Sequence, residues 1–500
     1  MATLAEKDTT GTLRAGEGEI ELLDRRTRTA KVFHLGGRRY RIGASLGPVH
    51  YRRDPFDEGE GLKEIDLSLT PTPGEEWDFA CETNGYQVRV WNSREVGGRT
   101  LRCVAQYRRA GRWFEMAPVA LAWMNGAGER ELIAKPVASA PTIEQEPDRV
   151  LWRDAFGAGL DFCYTLSPDH FWKAVVVREK AALPRPTIDR AGLRLVVVMA
   201  VAWEGEARAG NGFGDAAGVA LDDDESVLDA ADEELSEPEE FDYRDVADRP
   251  LWWLRKPRAW DSSEEQQAFE MGWQLRRRGG SVRMLLAIDA QVLADESVVY
   301  PVYIDTSISE EQPVINGDDA HSSGAVYPGF ASFTLSGSLR VGRNSSNWYC
   351  CGVRYQTVPI PAGATIDSAA LSFSPANTRW DNVIVYRAAE DVDSAAVFSS
   401  THMPGGTAYN SRTTAKVYWD IPNWTAYVWD DSPDLATVVQ EVVDRGGWAS
   451  NNNLLFILYE TRTVLPGGFV YRTIQDYGTG NGVKFNCTYS EPGSGGDWLF

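Results

Sequence analysis

The stretches Tyr86-Gln87-Val88-Arg89-Val90-Trp91 and Thr100-Leu101-Arg102-Cys103-Val104-Ala105-Gln106-Tyr107 decide the fold class. Both follow a period of two, which places apolar side chains on one face of a β-strand. The turn signals Asn84-Gly85 and Asn125-Gly126 punctuate this part of the chain, and Asn-Gly is a strong hairpin signal. The stretches therefore predict antiparallel strands joined by short turns.

Similar strand-like runs recur further along the chain, at residues 193–198 and 367–374. The 18 Trp, 19 Tyr and 18 Phe residues suit pleated, half-buried surfaces. With 43% hydrophobic and 24% charged residues, the composition is that of a globular chain. Because 500 residues exceed one ordinary core, we predict an all-β protein made of tandem β-sandwich domains.

Composition and strand pattern divide the chain into consecutive segments. We predict an N-terminal arm (1–18), a β-rich domain (19–135), a second β-rich domain (136–305) with an acidic insertion (205–248), a β-sandwich (306–490) and a Gly-rich tail (491–500).

One short helix is predicted near 433–445. Ser432 is placed to cap it, Pro433 fits its first position and Gly446 ends it. The buried stripe would consist of Leu435, Val438, Val439 and Val442.

The charge of −22 is concentrated in one segment. Residues 222–248 contain fourteen acidic side chains and one basic side chain, which contribute −14 + 1 = −13. The role of this segment stays open between a solvated excursion and a contact with a neighbouring basic surface. Leu228, Ala231 and Leu235 recur at helical spacing within it. Since phosphate binding requires clustered Lys and Arg, we expect no nucleic-acid partner, although Arg276-Arg277-Arg278 is a short basic run.

The remaining composition constrains location and redox chemistry. Cys350 and Cys351 should point to opposite faces of a strand, and we expect all six cysteines to be buried free thiols.

The first eight residues lack the apolar core of a secretory signal, and the chain has no run of eighteen apolar residues. We therefore expect neither a signal peptide nor a membrane span. Release by cell lysis, a dedicated export machine and an ordinary cytoplasmic location all fit this pattern.

Two parts of the chain resemble known families. The stretches 29–33, 47–51 (Gly-Pro-Val-His-Tyr), 63–66 and 299–305 (Val-Tyr-Pro-Val-Tyr-Ile-Asp) resemble β-rich modules of wall-associated and Rhs-type surface proteins, and Trp152–Phe156 sits where such modules carry a similar string. No YD repeats follow, so the toxin-shell function of Rhs proteins is not implied.

Residues 306–490 resemble DNRLRE-type domains, chiefly through Val358–Ile366 and Ala370–Phe373. The resemblance implies a jelly-roll-like sandwich of the kind found in bacterial surface proteins and tailed-phage virion proteins, some of which bind polysaccharide. It implies no catalytic residue. The residues themselves predict a turn at Pro361 and Gly363, with Ile366 and Leu371 in the core.

Motifs that would carry chemistry are weak. Gly43-Ala44-Ser45-Leu46-Gly47 matches G-x-S-x-G, but the extended Pro48–Tyr51 follows where a hydrolase needs a helix. The glycines at 210–214 precede acidic residues that would repel a phosphate. The histidines share no ligand spacing, at His34, His50, His170, His321 and His402. We therefore predict no enzyme, no catalytic residue and no organic cofactor.

Three binding hypotheses follow from single features. Asp318 and Asp319 are candidate calcium ligands, with a solvated loop as the alternative interpretation. Trp498, Leu499 and Phe500 form an apolar tip that would dock on the chain itself or on a partner. Several tryptophans of the third domain would be core or loop anchors, or would mark a glycan surface: Trp380, Trp419, Trp424, Trp429 and Trp448.

These expectations combine into one function. We predict a structural protein of a tailed-bacteriophage virion, such as a head decoration, tail, baseplate or fibre-associated protein, made in the host cytoplasm. Its partners would be copies of itself and other virion proteins. The alternatives are a carbohydrate-binding protein of host recognition and a polysaccharide-degrading enzyme.

Overall fold

In a computed structural model, the described residues are 11–143, 148–204, 208–209, 233–235, 241–244, 249–254, 257–263, 267–278, 281–309, 318–325, 330, 332–335, 338–344, 346–380, 383–460, 470–477 and 481–492.

The strands up to residue 203 are β1 (Ile20–Glu21), β2 (Ala30–Gly36), β3 (Arg39–Ala44), β4 (His50–Tyr51), β5 (Lys63–Glu64), β6 (Thr70–Pro71), β7 (Phe79–Cys81), β8 (Gln87–Val96), β9 (Arg99–Arg109), β10 (Arg112–Met124), β11 (Arg130–Ala134), β12 (Pro141–Ile143), β13 (Arg149–Trp152), β14 (Leu160–Leu166), β15 (His170–Val177) and β16 (Arg194–Trp203). The strands from residue 208 onward are β17 (Arg208–Ala209), β18 (Glu233–Leu235), β19 (Phe241–Arg244), β20 (Pro250–Leu254), β21 (Arg258–Trp260), β22 (Ala268–Glu270), β23 (Gly272–Arg278), β24 (Ser281–Asp289), β25 (Val302–Ser309), β26 (Asp319–Gly324), β27 (Ser332–Thr334), β28 (Leu339–Arg343), β29 (Trp348–Val358), β30 (Thr365–Phe373), β31 (Val383–Ala389), β32 (Val417–Ile421), β33 (Asp430–Asp431), β34 (Asn452–Tyr459), β35 (Val470–Ile474) and β36 (Lys484–Ser490). The helices are α1 (Ala290–Ala294), α2 (Thr407–Asn410) and α3 (Ala436–Val443).

The protein is all-β, as the two-residue period predicts. Strands account for 51% of the chain and helices for 6%. The described residues contain three short helices, where the sequence predicted one, because α1 and α2 are single turns too short to leave a periodic pattern. No helix in the described part of the chain is long and apolar enough to cross a bilayer.

The chain forms two compact units. The first unit consists of Met1–Tyr51, Gly61–Glu64 and Val314–Phe500, and the second unit consists of Arg52–Glu60 and Ile65–Pro313.

The first unit is a sandwich of two antiparallel sheets. Among the described residues, one sheet has the order β1-β2-β3-β36-β30-β33, and the other has the order β27-β26-β29-β34-β31-β32 with β28 and β35 attached. Val32 and Leu371 of the first sheet join Val353 and Phe456 of the second in one buried apolar cluster. Burial of this shared face is the main force that holds the sheets together.

The second unit also packs two antiparallel sheets. Their orders are β18-β23-β24-β16-β10-β9-β8-β7-β6 and β12-β13-β14-β15-β25-β20-β19-β17. Buried aromatic rings bridge them, since Trp252 of one sheet contacts Tyr107 and Phe114 of the other edge to face at 6.1 and 6.0 Å. The hydroxyl of Tyr164 reaches across to the carbonyl oxygen of Cys103 at 2.8 Å.

Strand pairing divides the chain differently from the predicted boundaries. β3 pairs with β36, so the stretch 30–44 belongs to a sheet completed at residues 484–490. β10 pairs with β16, which joins the predicted 19–135 and 136–305 domains in one sheet. The sequence could not reveal these pairings because hydrophobic alternation identifies a strand and its buried face but not its partner.

The helix α3 forms where expected but is shorter than 433–445. The predicted stripe is confirmed, since its four residues are at most 1% exposed. Ser432 does not cap the helix, because its hydroxyl accepts the Leu371 N–H of strand β30 at 3.0 Å. Asp434 instead accepts the Ala436 N–H at 3.0 Å and the Ala369 N–H at 2.9 Å. Competition from the adjacent strand moves the helix start to Ala436.

Most of the acidic insertion lies outside the described residues, except at β17, β18 and β19. Leu235 lies in strand β18, not in the helix that its spacing suggested. The register of β18 with β23 places Glu233 opposite Arg277 and Glu234 opposite Arg276. An acidic strand is therefore paired with the basic run of the same unit.

The cysteine prediction is confirmed for all six residues, which are buried free thiols. Cys351 faces the core between the two sheets of the first unit, whereas Cys350 joins a second cluster with Phe398 and Tyr459. The two adjacent thiols thus lie on opposite faces of β29, as the strand period requires.

Candidate interaction surfaces

Among the described residues of the first unit, the most exposed aromatic side chains lie on two loops. We call residues 375–380, between β30 and β31, and residues 422–429, between β32 and β33, the aromatic loops. Trp380 is 72% exposed and Tyr427 is 56% exposed, and Val428 beside it is 57% exposed. Contiguous exposed apolar side chains, such as the adjacent Tyr427 and Val428, can mark an interaction surface.

Hydrogen bonds join the two loops to each other. The N–H of Arg379 donates to the Trp424 carbonyl at 3.0 Å, and the Trp424 N–H donates back at 2.9 Å. The Tyr427 N–H donates to the Pro375 carbonyl at 2.9 Å, and the Ala426 N–H donates to the hydroxyl of Thr378 at 3.1 Å. The loops therefore form one paired segment.

A buried aromatic layer supports this segment. Phe373, Trp419 and Trp424 are buried with ring centroids 5.4–6.1 Å apart. The indole N–H of Trp424 donates to Asp430 at 2.8 Å, and the guanidinium of Arg472 donates to the Pro422 carbonyl at 3.0 Å. These contacts fix the second loop onto the core.

The five tryptophans of the third predicted domain thus differ widely in exposure. Trp419, Trp424 and Trp448 are at most 5% exposed. Trp448 anchors a loop through the carbonyl of Ile360. Trp429 is half-buried, and only Trp380 of this group is largely exposed. The sequence could not rank them because all five occur in similar turn-rich or strand contexts.

A second exposed surface is aliphatic and lies on an edge strand and on the 3-10 turn that follows it. We call Ile20 and Leu23 the aliphatic edge; each is 64% exposed. Strand β1 ends its sheet and pairs only with β2 in the described sheet order. The sequence does not mark this pair, because an Ile and a Leu three residues apart carry no distinctive signal.

Ion pairs and packing hold the aliphatic edge in place. The guanidinium of Arg26 donates to Glu21 at 2.7 Å, and Arg41 donates to Glu19 at 2.6 Å. Arg25 pairs with Glu491 and lies 4.7 Å from the ring centroid of Tyr40. The two aliphatic side chains are therefore presented on an anchored backbone.

A Ser–Asp–His cluster occurs in the second unit, at the hairpin between β14 and β15. Ser167 Oγ lies 3.3 Å from Nδ1 of His170, and the carboxylate of Asp169 contacts the same nitrogen. A catalytic triad needs the serine and the carboxylate on opposite ring nitrogens. This cluster therefore closes a turn and does not have the geometry of a nucleophile.

The G-x-S-x-G stretch is packed into the first unit. Ser45 is fully buried, and its hydroxyl accepts the Gly47 N–H at 3.3 Å. A Cβ on Gly43 would lie 1.9 Å from the Thr12 carbonyl oxygen, and one on Gly47 would lie 1.9 Å from the Tyr477 ring. Both glycines are explained by close packing.

The candidate calcium ligands have protein partners. Asp318 contacts the guanidinium of Arg354 and the amide of Gln356. Burial raises the pKa of Asp318, although both partners oppose the shift. Asp319 accepts the Tyr477 N–H at 2.6 Å. Among the described residues, no three His, Cys, Asp or Glu side chains are grouped to hold a metal ion. The geometry therefore gives the calcium hypothesis no support.

Burial and hydrogen bonding shift the pKa values of three histidines in different directions. Burial lowers the pKa of His50 to about 4 and that of His321 to about 4. The hydrogen bond to Glu390 raises the pKa of His402. These three histidines lie in the first unit and do not form a common site.

Two other predicted features lie outside the described residues: the glycine-rich stretch 210–214 and the apolar tip Trp498, Leu499 and Phe500. The docking role of the tip stays a prediction.

Comparison with known proteins adds little. No family model and no curated protein matches this chain. A xanthan lyase from Paenibacillus is 8% identical over 93% of this chain and 55% of its own, with a TM-score of 0.14, so the chain spans about half the length of that enzyme. A Trypanosoma rangeli sialidase in complex with sialic acid is 6% identical over 94% of this chain and 90% of its own, with a TM-score of 0.13. Similarities at this level carry no argument about fold or function.

Proposed function

We propose that this chain is a non-enzymatic structural subunit of a particle, the virion of a tailed bacteriophage, and that it acts by packing against neighbouring subunits. The observation that carries the proposal is the aliphatic edge. Ile20 and Leu23 offer apolar surface without hydrogen-bonding groups, and a protein surface that excludes water satisfies such side chains best.

The location of Ile20 and Leu23 at the edge of a sheet supports this proposal. β1 is a two-residue edge strand, and Leu22, the residue after it, packs onto the core of the first unit. Short edge strands are a common protection against unspecific strand addition. A partner would therefore be recognised by the two exposed side chains, which fits a specific joint between subunits.

The test uses purified particles. Immunogold labelling and quantitative mass spectrometry of washed particles should find the chain in several copies at fixed positions. The double variant Ile20→Asp/Leu23→Asp should be incorporated at least tenfold less, because each buried carboxylate would be desolvated without a partner. Leu132→Asp, on a 49% exposed leucine of the second unit, is the matched control. Absence of the chain from washed particles, or normal incorporation of the double variant, would refute the proposal.

A further inference from the structure

We propose that the apolar tip, Trp498, Leu499 and Phe500, docks on the aliphatic edge, Ile20 and Leu23, of the same chain. The inference goes beyond the proposed function because it concerns the free subunit, in which the tip covers the joint until a neighbouring subunit replaces it. The tip lies outside the described residues. What supports its docking site is the place at which the described chain ends and the surface that lies beside that place.

The aliphatic edge continues a row of ring side chains across its sheet. The strand registers align Ile20 with His34, and His34 with Tyr40. Tyr40 is aligned in turn with Tyr489, and the two rings stack with their centroids 5.5 Å apart. Tyr489 is fully buried, whereas Ile20 at the other end of the row is 64% exposed. The row therefore leads from the core to an apolar side chain that faces solvent at the edge.

The last described residues are held beside this row. The N–H of Glu491 donates to the carbonyl oxygen of Arg38 at 3.0 Å. The carboxylate of Glu491 pairs with Arg25, which is two residues after Leu23. The guanidinium of Arg25 also lies 4.7 Å from the ring centroid of Tyr40. The chain thus leaves its last strand from an anchored point at the same end of the sheet as the aliphatic edge.

The chain beyond this point is long enough to return to the edge. A Cβ added to Gly363, just before β30, would lie 3.8 Å from the ring of Pro492, the last described residue. Four strand spacings of about 4.8 Å separate β30 from β1, which is about 19 Å. Trp498 is six residues beyond Pro492 and Phe500 is eight, so an extended chain reaches about 20 Å and about 27 Å.

The chemistry of the two surfaces is matched. The tip and the aliphatic edge are both apolar, and packing them together removes both from water. Trp and Phe side chains bury roughly 150–250 Å² each when they pack. Because a short tether gives an effective concentration on the order of millimolar, the contact forms at a modest apolar area. The glycines of residues 493–496 allow the turns that the return of the chain requires.

The experiment is chemical cross-linking of the full chain as a free subunit. Asp24→Cys/Asp497→Cys places one thiol beside Leu23 and the other beside the tip, and a short bismaleimide joins them. Asp24 is exposed, and the six native cysteines are buried. We expect a cross-link within one chain between positions 24 and 497, identified by mass spectrometry of the digested monomer.

Variants of each surface test the contact in this double-cysteine background. Ile20→Asp/Leu23→Asp should slow the cross-linking about tenfold or more, because docking would desolvate the carboxylates. Trp498→Ala/Phe500→Ala should slow it to a similar extent from the other side. Leu132→Asp, on a 49% exposed leucine of the second unit, is the matched control and should leave the rate unchanged.

Three outcomes overturn the proposal: no cross-link, a rate that neither pair of substitutions changes, and a cross-link that joins only two different chains. The last outcome would identify the tip of a second copy as the occupant. Because Ile20 and Leu23 are exposed, their variant should keep the melting temperature of its parent, which separates lost docking from unfolding. The proposed function is tested in particles and this inference in the free subunit, so the failure of either is distinguishable.

Discussion

Glu390 holds the imidazole of His402, with Oε1 of the glutamate 2.8 Å from Nε2 of the histidine. The other ring nitrogen lies 3.1 Å from the carbonyl oxygen of Val397, so the ring bridges the end of β31 and the segment that follows it. Glu390 is buried, and its hydrogen bond to His402, followed by its charge, raises the pKa of the imidazole.

Removing this charge should change the pH dependence of folding. A histidine whose pKa is raised in the folded state stabilises the fold fully when the pH is below its unfolded pKa of 6.5. This stabilisation is lost as the pH rises through the folded pKa. Glu390→Gln should therefore cost more unfolding free energy at pH 5.5 than at pH 8.5, measured by urea denaturation. Glu58→Gln, on an exposed residue, is the control. An equal cost at both pH values would contradict the ion pair.

The contribution of His50 to stability should depend on pH in the opposite direction from that of His402. Its folded pKa of about 4 lies below the unfolded value of 6.5. Its contribution to the free energy of unfolding is therefore present above pH 6.5 and is lost as the pH falls toward 4. The loss at pH 4.5 is about 2–3 kcal/mol. In His50→Gln, the decrease in unfolding free energy between pH 7 and pH 4.5 should be smaller than in the wild type by about that amount. An unchanged decrease would show that His50 accepts a proton in the folded state.

The hydroxyl of Tyr86 should contribute measurably to the stability of the second unit. It lies 2.6 Å from the carbonyl oxygens of Ser167 and His170 and accepts the Ser167 N–H at 3.2 Å. Tyr86→Phe removes these buried hydrogen bonds while the Ser167 and His170 backbone groups keep other partners, so we expect a loss of about 0.5–1.5 kcal/mol in denaturant unfolding. Tyr418→Phe, on a half-exposed ring, should cost less than about 0.5 kcal/mol. Equal effects of the two variants would refute the structural role of the hydroxyl.

Glycine substitutions at two exposed tyrosines should have opposite effects on stability. Tyr427→Gly relieves a left-handed backbone, so thermal stability should stay equal or rise. Tyr418→Gly weakens the edge strand β32, so the free energy of unfolding should fall by about 0.5–1 kcal/mol. Differential scanning calorimetry of both variants tests this contrast. A strong destabilisation by Tyr427→Gly would show that its side chain serves folding instead.

Gly43 should tolerate no larger side chain. An added Cβ would collide with the backbone of Thr12, so Gly43→Ala should destabilise by at least about 1–3 kcal/mol. Gly61→Ala is the matched control, because a Cβ there meets no atom within 4 Å. Circular dichroism melts of the two variants compare them. Similar melting temperatures would contradict the close packing at Gly43.

Neither exposed surface could be selected from the sequence. Trp380 is one of five tryptophans in the third predicted domain, and exposure depends on which of them the sheets enclose. Tyr427 carries no signal for a left-handed backbone, since glycine and asparagine are the residues that favour it. Ile20 lies on a strand that ends a sheet, and Leu23 lies in the turn after it; the order of strands is a property of the folded chain.

The sequence by itself determined the strands and their buried faces. Alternation predicted that Cys350 and Cys351 point apart, and it identified Ile366 and Leu371 as core residues, which are 7% and 0% exposed. Five positions separate Ile366 from Leu371, so a regular strand would direct them to opposite faces. A bulge between Ile366 and Ser368 corrects the phase where β30 pairs with β36. Only the tertiary structure decides such a bulge, because it arises from pairing two strands more than a hundred residues apart, whereas the period of two is local to the chain.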